Sequence, residues 1–425
     1  MKLSIIVTCY NIAPYIEKCL DSICNQTLRD IEIIVIDDAS TDDTQRIVES
    51  YQKCDPRIKT KFFTENTIGG VSSAANAGID MATGDYIGFA DGDDWYELDM
   101  FEKLVNSAEK NNSDVAFCNY LEFNETTSEL LKPSDAGKWH SLKPYDSSGD
   151  SSDSFKKAFL RLNPVPWRKI YKRELLGDKI RYPVGDYFFE DNPFHWETTL
   201  HSEKISFEDF IGCYHRINRP GQTMSTANFK LIAMYEHHST ILDTLQAGNV
   251  DEDYKDQSIA WLIGNTEWIT RKIGDQYLKD NFRAFQSELF KYGKDSVNDT
   301  LSRIHVGNRG RDLVRFALIK NYRGFKIAVT EQKYTKVDYG LISISEIGFW
   351  KTIGLFLKKP LMNMFKTPSN SDSQKLALLH RESIDKATIE LLDELKKVKQ
   401  ELTVVKGDLR SIKLAMILNN EPSER

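Results

Sequence analysis

Residues 3–9 (LSIIVTC) and 31–37 (IEIIVID) are nearly continuous runs of Ile and Val with little polar alternation. Runs of this kind predict strands buried on both faces, the pattern of a parallel sheet. Between them, PYIEKCLDSICNQ carries apolar residues at helical spacing, with Pro14 tolerable in a first turn. The order then repeats. A helix is predicted from Thr41 to about Cys54, with Ser40 or Thr41 as N-cap and early Asp residues at its positive end. A short strand follows at 58–63, a small-residue helix at 71–82 and another strand at 85–90. The alternation β-α-β-α-β-α-β predicts a doubly wound α/β sheet, mostly parallel, with right-handed crossovers.

Further along, 124–153 is rich in Ser, Asp, Glu and Thr, contains Pro133 and Pro144, and predicts a long surface loop. Residues 155–176 read as helical around Pro164 and Pro166, 186–200 as a second helical feature, and 205–216 as a strand. From Phe229 to Leu289 the spacing is helical, with Trp261 and Trp268 as core anchors, and 300–340 leans helical. Residues 341–366 are strongly apolar, carry Trp350, and are flanked by Lys351, Lys358, Lys359 and Lys366. Two readings stay open there: a buried helix packed on the preceding domain, or an interfacial helix on an anionic membrane. Residues 367–374 have linker composition.

The tail repeats every seven residues. Thr388, Leu395, Leu402, Leu409 and Met416 fall at a, and Ile384, Leu391, Val398, Val405 and Ile412 at d. A coiled coil is the leading reading, and a lone amphipathic helix packed on its own domain is the alternative. Leucine at a with β-branched residues at d favours trimers or tetramers over dimers. The organisation predicted is an α/β domain at 1–225, a helical domain at 226–340, an apolar-basic helix and linker at 341–374, and an oligomerising coil at 375–420.

Composition narrows the function. The chain has 425 residues, 40% of them hydrophobic and 11% aromatic, enough to build real cores. Its formal net charge is −7, so nothing global favours nucleic acid as a partner. Six cysteines without a CxxC pair suggest free thiols in a reducing compartment. No stretch approaches the ~20 apolar residues that span a bilayer. MKLSIIVTCYN reads as a strand and lacks the h-region of a signal peptide. The expected location is the cytoplasm, with room for peripheral contact at the inner membrane face.

In an open α/β sheet, ligands bind beyond the carboxyl ends of the strands. Thr8, Tyr10 and Asn11 follow the first strand, Asp37-Asp38-Ala39-Ser40 the second, and Asp91-Gly92-Asp93-Asp94 the fourth. Asp91 and Asp93, one residue apart around Gly92, can aim oxygen ligands at one hard cation, Mn²⁺ or Mg²⁺. A solvated acidic turn is the bland alternative. There is no GxGxxG after the first strand and no GxxxxGK[ST] anywhere. A cation would have to do the phosphate work that a glycine loop does elsewhere.

SIIVTCYN, IIVIDDASTDDT, the stretch from Gly69-Gly70 to Asn76, and GDYIGFADGDDW together resemble the family 2 glycosyltransferases of the GT-A fold. The later segments WRKIYKRELL, YFFEDNPF and YHRINRPGQTMS extend the resemblance to about residue 225. It implies that Thr8, Tyr10 and Asp38 hold the nucleotide base, and that Asp91 and Asp93 bind ribose and metal. It also implies that Asp191 is the catalytic base, and that His215 and Arg216 touch the metal or the diphosphate. Asn11, Asn76 and Glu190 join the nucleotide-sugar site in this reading. Family members often carry a basic residue where Ala75 stands, so a diphosphate contact would come from Lys169, Arg168 or Arg216. The implied enzyme is an inverting, metal-dependent transferase. It would move a sugar from a UDP-sugar to a hydroxyl of a bacterial surface polysaccharide or a lipid-linked glycan. A non-catalytic nucleotide-sugar or glycan-binding scaffold is the alternative. A nucleotidyltransferase would need a Gly-rich basic loop after the first strand, and the sequence has none there.

Overall fold

A computed structural model of the chain describes residues 2–330 other than 68–70, 146, 148, 186–187 and 223–228. The Ile- and Val-rich runs become strands in the predicted order: β1 (Leu3–Cys9), α1 (Ile16–Cys24), β2 (Ile31–Asp37), α2 (Thr44–Cys54), β3 (Ile58–Phe62), α3 (Val71–Met81) and β4 (Tyr86–Asp91). Then come β5 (Trp95–Tyr96), α4 (Met100–Asn111), β6 (Val115–Asn124), β7 (Glu129–Leu131), α5 (Ala136–Trp139) and α6 (Asp153–Phe159). β8 (Lys169–Lys172), α7 (Arg173–Leu176), α8 (Asp191–His201) and β9 (Ile205–Ile217) follow. The remainder is helical: α9 (Ala233–Ala247), α10 (Asp251–Lys272), α11 (Leu278–Tyr292), α12 (Lys294–Arg303), α13 (Asn308–Leu318) and α14 (Tyr322–Thr330).

Among the described residues one sheet runs β3-β2-β1-β4-β8-β6-β9-β5, with β7 on the side of β6. β1 pairs in parallel with β2 and β4, and β2 with β3. Past β4 the sheet becomes mixed, because β8 lies antiparallel to both β4 and β6 while β6 and β9 run parallel. Alternate side chains of the first strands feed two cores. Ile5, Val7, Ile33 and Val35 pack with α1, α2 and α4 on one face. Ile6, Ile87 and Phe89 pack with Phe117, Phe155, Phe159 and Phe194 on the other.

Several expectations change. The stretch 155–176, read as helical, contains strand β8, whose Lys169, Ile170 and Tyr171 are all buried. The predicted loop 124–153 carries β7 and α5. Helix α2 starts at Thr44, not Thr41, because the Ser40 hydroxyl donates to Asp37 (2.5 Å) and the Thr41 N–H donates to Asn11 Oδ1 (2.7 Å). Trp261 and Trp268 are half-buried; Trp261 packs against the cluster of Leu160, Trp196, Ile241 and Leu245. All six cysteines are free. No helix among the described residues is long and apolar enough to cross a membrane. The apolar-basic stretch 341–366 and the heptad tail 375–420 lie outside the described residues.

Candidate active site

The parallel register sets the site. Thr8 at the end of β1 sits opposite Asp91 at the end of β4, and Cys9 opposite Asp37. The chain then turns tightly. Gly92 N–H donates to the Thr8 carbonyl at 3.0 Å. A Cβ at Gly92 would lie 2.6 Å from Ile12 Cδ1 and 2.9 Å from that carbonyl, so only glycine fits. The Asp94 N–H reaches back to the Asp91 carbonyl at 3.0 Å, which folds Asp94 towards Asp91.

Strand β9 supplies the third member. β5 pairs Trp95 with Tyr214, which brings His215 alongside the acidic turn. His215 Nδ1 lies 2.8 Å from Asp94 Oδ2, and the ring stacks on Trp167 with centroids 5.0 Å apart. Asp91, Asp94 and His215 offer ligand atoms all within 4.8 Å of one another. Asp93 does not join them. Its carboxylate pairs with Arg219, and its carbonyl accepts from Arg216 Nε at 2.9 Å. The expected trio Asp91, Asp93 and His215 is therefore replaced in this geometry by Asp91, Asp94 and His215, because the turn rotates Asp93 towards the basic 216–219 segment.

Charge at the cluster is unbalanced. Burial, with repulsion from Asp94 and Asp93, raises the Asp91 carboxyl well above the usual range. Burial also raises Asp94, although His215 works against it. Burial disfavours the His215 imidazolium, but Asp94 and the neighbouring aspartates outweigh that and lift it to about 9. With Asp93 paired to Arg219, Asp91 and Asp94 share a single imidazolium, which leaves their corner of the site short of positive charge. Two carboxylate oxygens and an imidazole nitrogen in one small volume fit a divalent cation.

Asp191 opens α8 and lies close enough for its charge to raise Asp91. Burial lifts Asp191 to about 6, with Lys169 pulling the other way, and burial lifts its neighbour Glu190 to about 8. Lys169 is fully buried, with Nζ 2.9 Å from the Pro164 carbonyl and 3.1 Å from His195 Nδ1. Burial and Arg168 depress its ammonium well below the ordinary value. Lys169 is thus enclosed, with its Nζ bound to Pro164 and His195, and is not an open diphosphate contact.

The remaining predicted residues divide. Asp38 is buried, and its carboxylate accepts from Asn66 Nδ2, Thr67 N–H and Thr67 Oγ1, each at 2.9 Å. Asn11, at φ +51°, ties the loop after β1 to the loop after β2 through Ser40 and Thr41. Tyr10 is 45% exposed at the rim. Asn76 is engaged by the backbone of Tyr182: its amide donates to the Tyr182 carbonyl (2.8 Å) and accepts from the Tyr182 N–H (2.9 Å). That two-way bond explains an asparagine at this place without any ligand. Arg216 donates its N–H to Asp94 Oδ1 at 2.7 Å, and its guanidinium lies over Tyr15 at 4.7 Å while pairing with Glu125.

Residues 4–177 match the family model described as Glycosyl transferase family 2. These residues are a family 2 glycosyl transferase domain. The chain is 36% identical over 208 residues to the uncharacterized glycosyltransferase EpsJ of Bacillus subtilis, covering 48% of this chain and 58% of that protein. It is 33% identical over 210 residues to the glycosyltransferase GlyA of Streptococcus pneumoniae, covering 48% of this chain and 29% of that protein. The chain thus spans less than two thirds of either relative. The crystal structure of Staphylococcus aureus TarS 1-349 in complex with UDP-GlcNAc superposes with a TM-score of 0.64 at 22% identity, covering 79% of this chain and 93% of that one. That likeness is one of fold, a curled GT-A-like sheet with flanking helices.

The family 2 match ends at residue 177, so Asp191, His215, Arg216 and Arg219 all lie beyond it. Sequence reasoning missed Asp94, Arg219 and Trp167 as parts of the site. Asp94 was visible in DGDD, and only the reversal of the turn decides between it and Asp93. Arg219 stood in RINRPG, three residues past the basic pair of β9.

Proposed function

We propose that this chain is an inverting glycosyltransferase that moves a sugar from a UDP-sugar to a hydroxyl of a bacterial surface polysaccharide or lipid-linked glycan. The observation that carries the proposal is the convergence of Asp91, Asp94 and His215 with Asp191 beside them, at the strand ends of a family 2 domain. TarS supports the donor class, because its crystal structure holds UDP-GlcNAc. It also supports a polymeric acceptor, because TarS of S. aureus is a poly(ribitol-phosphate) beta-N-acetylglucosaminyltransferase.

Each residue then has a task. Thr8 and Asp38 edge the pocket for the base at the ends of β1 and β2. Arg216 and Arg219 bring positive charge to the acidic turn. Asp91, Asp94 and His215 would hold Mn²⁺ or Mg²⁺. When bound, such a cation offsets charge on a diphosphate leaving group. Asp191 takes the proton of the acceptor hydroxyl as it attacks the anomeric carbon, and general-base help of this kind contributes ~10²–10⁴-fold. Single displacement needs no second carboxylate as nucleophile, which favours inversion. The heptad tail is proposed to assemble three or four chains, and the basic-apolar stretch to meet the cytoplasmic face of the membrane.

The direct test is a panel of UDP-sugars with Mn²⁺, reading UDP release with and without acceptor glycans. No release from any donor would overturn the enzyme assignment. Substitution separates the two metal sets. Asp94→Asn should raise the Mn²⁺ needed for half-maximal release by about 10–100-fold after chelator treatment. An unchanged Mn²⁺ requirement in Asp94→Asn, with a large rise in Asp93→Asn, would restore the set read from sequence.

A further inference from the structure

The loop that carries Asp191 is held from outside the family 2 domain. Phe189 adopts φ +72°, a left-handed conformation that a bulky residue keeps only when its surroundings impose it. The surroundings come from α9 and α10. His237 Nε2 on α9 lies 2.7 Å from the Phe188 carbonyl oxygen. A carbonyl only accepts, so Nε2 carries the proton there. Burial keeps the His237 ring neutral by lowering it to about 4. Trp268 on α10 sets its ring edge-on to Phe189, with centroids 5.4 Å apart.

Two turns before Trp268, Trp261 donates Nε1–H to Asn192 Oδ1 at 3.1 Å. An indole N–H can only donate, so it fixes which way the Asn192 amide faces. The other end of that amide, Nδ2, then points to the Phe189 carbonyl (3.0 Å) and to Asp191 Oδ1 (3.2 Å). A chain of two hydrogen bonds thus runs from α10 to the carboxylate.

We propose that Trp261 and His237 are positioning residues: through Asn192 and the Phe188 carbonyl, the helical segment fixes the direction in which the Asp191 carboxylate faces the acceptor. The inference rests on Asp191 being the general base. Both act through the loop that carries Asp191, so the expected effect is on turnover and not on donor affinity. A base carboxylate turned slightly from its line of attack loses rate steeply, since a shift of ~1 Å can cost ~10²-fold.

The experiment uses the full chain and the best donor of the UDP-sugar panel, with kcat and KM read from UDP release. Trp261→Phe keeps the ring and removes the donor. His237→Phe removes the bond to Phe188, and His237→Gln restores an N–H near the Nε2 position. Folding is checked by near-ultraviolet circular dichroism. The expected result is a fall in kcat of about tenfold or more in both Phe variants at unchanged donor KM, with His237→Gln recovering most of it. If Trp261→Phe does not fold, the His237 pair decides. Wild-type kcat in the Phe variants while Asp191→Asn is inactive would overturn the positioning role and leave the base in place. A loss confined to KM would overturn it too. Turnover persisting in Asp191→Asn would instead remove the base assignment, and the inference with it.

Discussion

Burial separates two adjacent carboxyls on the base loop. Asp191 is lifted to about 6 and Glu190 to about 8, so near pH 7 the first is mostly ionised and the second mostly protonated. Such splitting is how one site obtains a base and a neutral hydrogen-bond donor from the same chemistry. The working form of a general base is the deprotonated one, so its loss lies on the acid side. The kcat/KM profile for UDP release should fall below about pH 6 with a slope of one decade per unit. Asp191→Asn should abolish release across the range, while Glu190→Gln, which mimics the neutral carboxyl, should keep most of it at pH 7. A profile flat down to pH 4 would sink the assignment. At this scale the Glu190-Asp191 pair was legible in the sequence only through the resemblance that YFFEDNPF carries. The fate of Asp93, Asn76 and Asn11 was not. Each is decided by a partner distant in sequence: Arg219 for Asp93, Tyr182 for Asn76 and Thr41 for Asn11.

Strands show the same division between pattern and partner. β1 and β2 follow from Ile and Val runs that only a doubly covered sheet can bury. β8 escaped because Lys169 and Lys172 make it look like a surface helix, and nothing local says that Lys169 is buried. Glu32 poses a like puzzle inside β2, where it is 1% exposed in an otherwise apolar run. Its carboxylate accepts from Ser4 Oγ on β1 and Lys59 Nζ on β3, each at 2.6 Å, and from Thr83 N–H (2.7 Å) and Oγ1 (2.8 Å). Burial alone would raise this carboxyl, but those donors together bring it from 4.5 down to about 2. A folded value below the unfolded one stabilises the fold where the group is charged. The contribution is therefore fully present above about pH 4.5 and is lost as pH falls towards 2. Glu32→Gln should cost roughly 1–3 kcal/mol in urea unfolding at pH 7, since it leaves buried donors with a poorer acceptor. The gap from wild type should narrow in acid. Equal midpoints at pH 7 would mean that the three-strand junction contributes nothing.

At the scale of the whole molecule, the proposed site and the helix residues that hold the Asp191 loop fall between Thr8 and Trp268, and the heptad tail begins more than a hundred residues later. The tail should therefore govern assembly without supplying chemistry. Its a positions are mostly Leu and its d positions mostly Ile and Val, with no Asn at an a position to force a dimer. Three or four helices accommodate that arrangement better than two. Light scattering on the full chain should then give about three or four times the 48.9 kDa of one chain. A chain ending at residue 374 should be smaller in assembly and still release UDP with a soluble acceptor, because Asp91, Asp94, His215 and Asp191 and the helices that orient the base are all retained. If the two forms had the same number of chains per particle, the coil would not be the assembling element. If the shortened chain folded but released no UDP, the tail would have to act on the site itself, and a role in assembly alone would be excluded.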